Sequence, residues 1–159
     1  MRKFDSLGLR LAEFQAKIFE QSIDRYDCSS LVFLRRFKYS NYSKVLDQAS
    51  ENVLLDVEYA FDEIDKQYKN TAYGKEKYSK EAMYWLGYIY RYISYTRDVS
   101  TKKAFNLIEP EELYANYYVY HTQSEEWVIA RILESKGKCE DDFDKNKSLK
   151  NIMKKIYNL

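Results

Sequence analysis

The chain has 159 residues, of which 26 are basic and 25 acidic; 45% are apolar, and only four are glycine and one proline. That length suits one domain with a continuous core, and a net charge of +1 excludes a whole-molecule field drawing the protein to nucleic acid or membrane. The shortage of turn residues excludes a many-turned β-sandwich, and the apolar content excludes a disordered chain.

The opening stretch MRKFDSLGLRLAEF is charged throughout and lacks the apolar segment of a signal peptide, and no apolar run is long enough to cross a bilayer. A cytoplasmic protein with no membrane contact is therefore expected. Phe4, Leu7, Leu11, Phe14 and Ile18 recur at three- and four-residue steps and predict a helix over residues 4–26. Asp27, Ser29 and Ser30 interrupt it, and either serine can cap a second helix through LVFLRRFKYS. Cys28 in this break and Cys139 lie far apart and outside any CxxC pattern, which points to free thiols in a reducing compartment.

A short helix is expected over 42–48, and Asp56 reads as the N-cap of the next, with Glu58 in its first turn. Val57, Ala60, Phe61, Ile64 and Tyr68 form its apolar stripe, and KNTAYGKEKYS reads as a loop over 70–78. Ser79 caps a long helix, a break at 98–100 leads to a short helix over 101–108, and Pro110 suits the first position of another. Ser124, followed by Glu125 and Glu126, begins a helix reaching about residue 135. After Gly137 the composition shifts to acidic CEDDFD and then to basic KNKSLKNIMKKIY, where Leu149, Ile152, Met153 and Ile156 allow a terminal amphipathic helix. The expected fold is all-α: a compact bundle of about seven helices with no significant sheet. One helical domain spans 1–137, and 138–159 form a charged C-terminal tail.

The long helix contains YWLGYIYRYISYTR over 84–97. On a helical wheel Tyr84, Tyr88, Arg91, Tyr92 and Tyr95 share one arc with Trp85 at its edge, while Leu86, Ile89 and Ile93 share the neighbouring arc. Gly87 and Ser94 lie together beside Tyr90, a side on which another helix can approach closely. A helix apolar nearly all round belongs at the centre of a bundle. The tyrosine–arginine arc, rich in residues that dominate interfaces, is the candidate for an exposed partner-binding face.

Catalytic signals are sparse. His121 is the only histidine, and no HExxH, EF-hand, Walker, GxGxxG or GxSxG pattern occurs, so no metal or cofactor is expected. The arginine that HEPN ribonucleases place shortly before a histidine is missing, since Ala115, Asn116 and Tyr117 stand there. An enzyme reading would gather Arg91, His121 and Glu125 or Glu126 around a tyrosine-bounded pocket. A nucleic-acid reading would use Arg35, Arg36 and Lys38, interleaved with Phe37 and Tyr39, together with tail lysines such as Lys150 and Lys154.

Between residues 77 and 134, Trp85, Gly87, Tyr88, Tyr90, Arg91, Tyr92 and Ser100, then Tyr117, His121, Thr122 and Ile132, resemble a group of small helical bacterial proteins from toxin–antitoxin or phage-defence loci. The YHTQS element is similar to the end of small antitoxins encoded beside ADP-ribosyltransferase-like toxins. This resemblance implies a non-enzymatic antitoxin that neutralises a cognate toxin enzyme by contact. It places His121 with the tyrosine–arginine arc among the partner-binding residues. Self-association stays open, and no helix-turn-helix signature accompanies the DNA binding common among antitoxins.

Overall fold

A computed structural model describes residues 1–157, and all regular structure among them is helical. Ten segments follow one another: α1 (Ser6–Arg25), α2 (Ser30–Tyr39), α3 (Asn41–Asp47), α4 (Val57–Gln67), α5 (Lys80–Arg97), α6 (Thr101–Leu107), α7 (Pro110–Ala115), α8 (Tyr117–Tyr120), α9 (Glu125–Ser135) and α10 (Asp141–Tyr157). The all-α bundle expected from the sequence is the fold observed. Its segment count exceeds about seven because several pieces are a turn or two long.

Local chemistry sets most of the boundaries. Asp5, Ser29, Ser40, Asp56, Ser79, Ser100 and Ser124 each precede a helix, and each side chain accepts the backbone N–H three residues on. Such caps satisfy an otherwise orphaned donor and contribute about 1 kcal/mol apiece. Glu109 provides no side-chain cap for α7, where Pro110 lacks the first N–H in any case. Asp98 ends α5 in the left-handed conformation, with φ of 52°.

The central contact pairs α1 with α5 in antiparallel array. Asp5 meets Tyr95 at one end, Gln15 meets Gly87 in the middle, and Asp24 meets Lys80 at the other end. Gly87 makes this approach possible, because a Cβ there would lie 2.8 Å from both the Ala16 Cα and the Gln15 carbonyl oxygen. Aromatic rings link α1 and α5 to α2 and α6: Phe19 packs edge-on against Phe33, Phe37 and Phe105, and Tyr90 stacks on Phe105 at 3.9 Å. Each such ring, buried from water, stabilises the fold by about 1.5–3 kcal/mol.

The long connection between α4 and α5 is fastened along its length. Arg36 donates to the Lys69 carbonyl and the Thr71 hydroxyl, the Ser30 hydroxyl accepts from the Tyr78 N–H, and Lys77 reaches the carbonyls of Ile23 and Tyr26.

The C-terminal helix stands apart. None of the described residues of α10 is buried. Its start is tethered where Arg97 pairs with Glu140, where Lys147 pairs with Asp98 at 2.8 Å, and where Phe143 packs partly against the core. It begins inside the acidic stretch because Asp141, Asp142 and Asp144 complement the positive end of the helix dipole. The last two positions of the expected tail, 158 and 159, lie outside the described residues. Among the described residues no helix is long and apolar enough to cross a membrane. Cys28 is buried and Cys139 exposed, both as free thiols.

Candidate partner-binding surface

The tyrosine–arginine arc of α5 does not form the exposed face expected of it. Arg91 is fully enclosed, and Tyr92 and Tyr95 are buried with it; Tyr84 and Tyr88 are half-buried. Two neighbours invisible to a helical wheel close the arc. The segment before α1 folds across it, with the Phe4 ring 6.2 Å from Tyr88, 4.6 Å from Tyr92 and 6.2 Å from Tyr95, and with Arg2 over the Tyr95 ring at 3.8 Å. The start of α9 covers the remainder, where the Tyr92 hydroxyl donates to Glu126. Tyr95 donates to Asp5 at 2.5 Å, and Tyr90 donates to the Ile108 carbonyl at 2.7 Å, so these phenols are satisfied internally.

Arg91 turns inward and its donors are consumed. It bonds the side-chain amide oxygen Oε1 of Gln15 through Nε and Nη2 at 2.9 and 2.7 Å, the Asp47 carboxylate at 2.8 Å and the Thr101 hydroxyl at 2.7 Å. Burial draws the guanidinium below the ordinary arginine range, and the Asp47 carboxylate opposes that shift. Asp47 also accepts the Thr101 N–H and hydroxyl, which fixes the start of α6. This is a structural knot between α1, α3, α5 and α6.

His121, the other predicted site residue, is exposed. Its Nδ1 contacts the Tyr117 carbonyl at 2.7 Å, an arrangement that requires the proton on Nδ1, and its ring stacks on Tyr117 with centroids 4.5 Å apart. The enzyme constellation of Arg91, His121 and Glu125 is therefore not assembled: Arg91 is sealed among Gln15, Asp47 and Thr101, while His121 stands on Tyr117 at the surface.

What the structure does present around His121 is an aromatic surface. Its centre is α8, whose four residues YYVY include none that is buried. Tyr118 is 82% exposed and Val119 60%. Tyr117 sits edge-on to Trp85 of α5 at 5.6 Å and to Tyr118 at 5.4 Å, and Tyr120 meets Trp127 of α9 edge-on at 5.7 Å. The half-buried Tyr84 and Tyr88 lie one turn apart on the same helix as Trp85.

Acidic groups fringe this surface. Burial and then the Glu125 and Glu13 carboxylates push the Tyr88 phenol up to about 12. Burial and then Glu13 and Glu20 raise Tyr84, and burial and then Glu81 raise Tyr117. The arrangement offers flat π-faces, phenolic donors and nearby carboxylates, with Arg131 over the Trp127 ring at 5.3 Å, a combination suited to a mixed basic–apolar surface. The sequence points to His121, Tyr84 and Tyr88 as partner-binding residues and to Tyr117 only among those that carry the resemblance; Tyr118, Val119, Tyr120 and Trp127 were not among its candidates. The available signal was the density of aromatics in YANYYVYHTQSEEW between two helix starts.

The basic residues divide into two groups joined through α6. Arg35 is exposed, Lys38 is half-buried, and Arg36 is occupied in holding the α4–α5 connection. Lys38 and Lys102 both stand over the exposed Tyr39 ring, at 5.4 and 5.3 Å. Lys150 lies beside Lys103, whose ammonium is held below its ordinary value by that neighbour. Lys154 is exposed further along α10. Among the described residues no cluster of three or more potential metal ligands gathers. In comparison with known proteins, no family model, no curated protein and no solved structure matches this chain.

Proposed function

We propose that this chain is a partner-binding protein of the antitoxin kind, which holds a cognate toxin enzyme in the cytoplasm by direct contact through the aromatic surface centred on α8. The observation that carries this reading is the exposure of α8 itself. Tyr118 and Val119 contribute almost nothing to the core, yet they lie among the aromatic rings of Tyr117, Tyr120, Trp85 and Trp127. Aromatic residues of this kind bring about 150–250 Å² of contact area each and are enriched among residues whose truncation weakens an interface by about 2 kcal/mol or more. The acidic fringe supplies electrostatic steering toward a partner with a basic surface.

Co-expression with the product of the adjacent gene tests the reading. The expected outcome is a complex that survives size-exclusion chromatography, together with relief of growth arrest caused by the partner alone. No complex and no relief would refute it.

A further inference from the structure

The distal half of α10 is a second uncovered surface with the opposite charge. Residues 145–157 contain Lys145, Lys147, Lys150, Lys154 and Lys155 and no acidic residue. Leu149, Ile152, Met153 and Ile156 recur at steps of three, one and three, and each is more than half exposed. That spacing sets them in one stripe about 10 Å long on a single helix face. The root of the helix is held by Arg97–Glu140, Lys147–Asp98 and the partly buried Phe143, so the stripe is presented from a fixed base. The protein's own body leaves the stripe uncovered, since Leu149, Ile152, Met153 and Ile156 all stay exposed, while Lys150 is set beside Lys103 of α6, a like charge, as well as near Asp98.

Charge decides between occupants. Pairing the stripe with the same stripe of a second copy would bring Lys145, Lys150, Lys154 and Lys155 from each helix together, with no acidic residue in either distal segment. A nucleic-acid backbone offers no cover for four aliphatic side chains. An anionic bilayer would meet Glu140, Asp141, Asp142 and Asp144 at the root of the same helix, leaving residues 138–157 with only six lysines against four acids. A protein groove engages the distal half alone. Anchors at i, i+3, i+4 and i+7 flanked by lysines fit an apolar groove with a carboxylate rim.

We propose that the distal half of α10 is a docking arm that lays its apolar stripe into an acidic-rimmed apolar groove on a protein partner. The identity of that partner rests on the reading of the aromatic surface: it is the same protein, gripped at a second point.

The test uses the full chain and two double variants, Ile152→Ser with Ile156→Ser and Lys150→Glu with Lys154→Glu, titrated against the purified product of the adjacent gene. All four positions are exposed, so the melting temperature should match wild type. The expected result is at least a tenfold loss of affinity in each, with the lysine variant also losing most of the salt dependence of binding. If wild type binds and both variants bind equally well, the arm is refuted while the aromatic surface stands. If wild type does not bind, both proposals fall. Wild-type binding to vesicles of phosphatidylcholine with phosphatidylserine, or concentration-dependent self-association, abolished by these substitutions while partner affinity is unchanged, would assign the arm elsewhere and overturn the proposal.

Discussion

Arg91 ties four helices together through one guanidinium. Its partners Gln15, Asp47 and Thr101 come from α1, α3 and α6, and among the described residues Arg91 is the one cation paired with the Asp47 carboxylate, whose other donors are the neutral groups of Thr101 and Ser94. Removing the cation while leaving the carboxylate half-enclosed is the costly way to break such a pair. Arg91→Ala should therefore lower unfolding free energy by about 3–5 kcal/mol in urea titration. Arg91→Lys should recover only part of this, because an ammonium cannot reproduce the fork that grips Gln15 and Asp47 together. A loss under about 1 kcal/mol for the alanine variant, the size of an exposed pair, would contradict the enclosed network.

At the scale of elements, the fold depends on how closely α1 and α5 approach at Gly87. A methyl there would press on the Ala16 Cα and the Gln15 carbonyl, backbone atoms that cannot swing aside. Gly87→Ala gains up to about 1 kcal/mol in helix propensity, yet the forced separation should outweigh it and leave a net loss of about 1–3 kcal/mol in thermal or urea unfolding. An alanine variant as stable as wild type would show that the helices part without cost.

The small side of α5 was legible because Gly87 and Ser94 are seven residues apart, and the serine and aspartate caps were legible because their chemistry is local. The burial of Tyr92 and Tyr95 was not. Their cover comes from Arg2, Phe4 and Asp5, about ninety residues away in a segment with no period to read, and from Glu126 at the start of another helix. Helix α8 was missed for a related reason: four residues make little more than one turn, too short for any stripe to declare which face is buried.

For the molecule as a whole, the buried tyrosines make stability a function of alkaline pH. Burial pushes the phenols of Tyr42, Tyr78, Tyr88 and Tyr95 up to about 12 and also raises Tyr90 well above the ordinary phenol range. Each folded value lies above the unfolded value of about 10, so the neutral form is favoured by folding. Their contribution is complete below pH 10 and is lost as the pH rises toward 12. Melting temperature should fall steeply across that window, and the phenolate absorbance of these tyrosines should appear together with loss of helical circular dichroism. Titration of the full phenolate signal near pH 10 with the helices intact would contradict the burial described.

Partner binding through the aromatic surface is open to a single titration. Calorimetric titration of the adjacent gene's purified product into wild type and into a Tyr118→Ala, Val119→Ser double variant compares affinity at unchanged fold, since both positions are exposed. The expected result is an unchanged melting temperature and an affinity at least about thirtyfold weaker, the equivalent of about 2 kcal/mol at an interface centre. Equal affinity for the two proteins would contradict it.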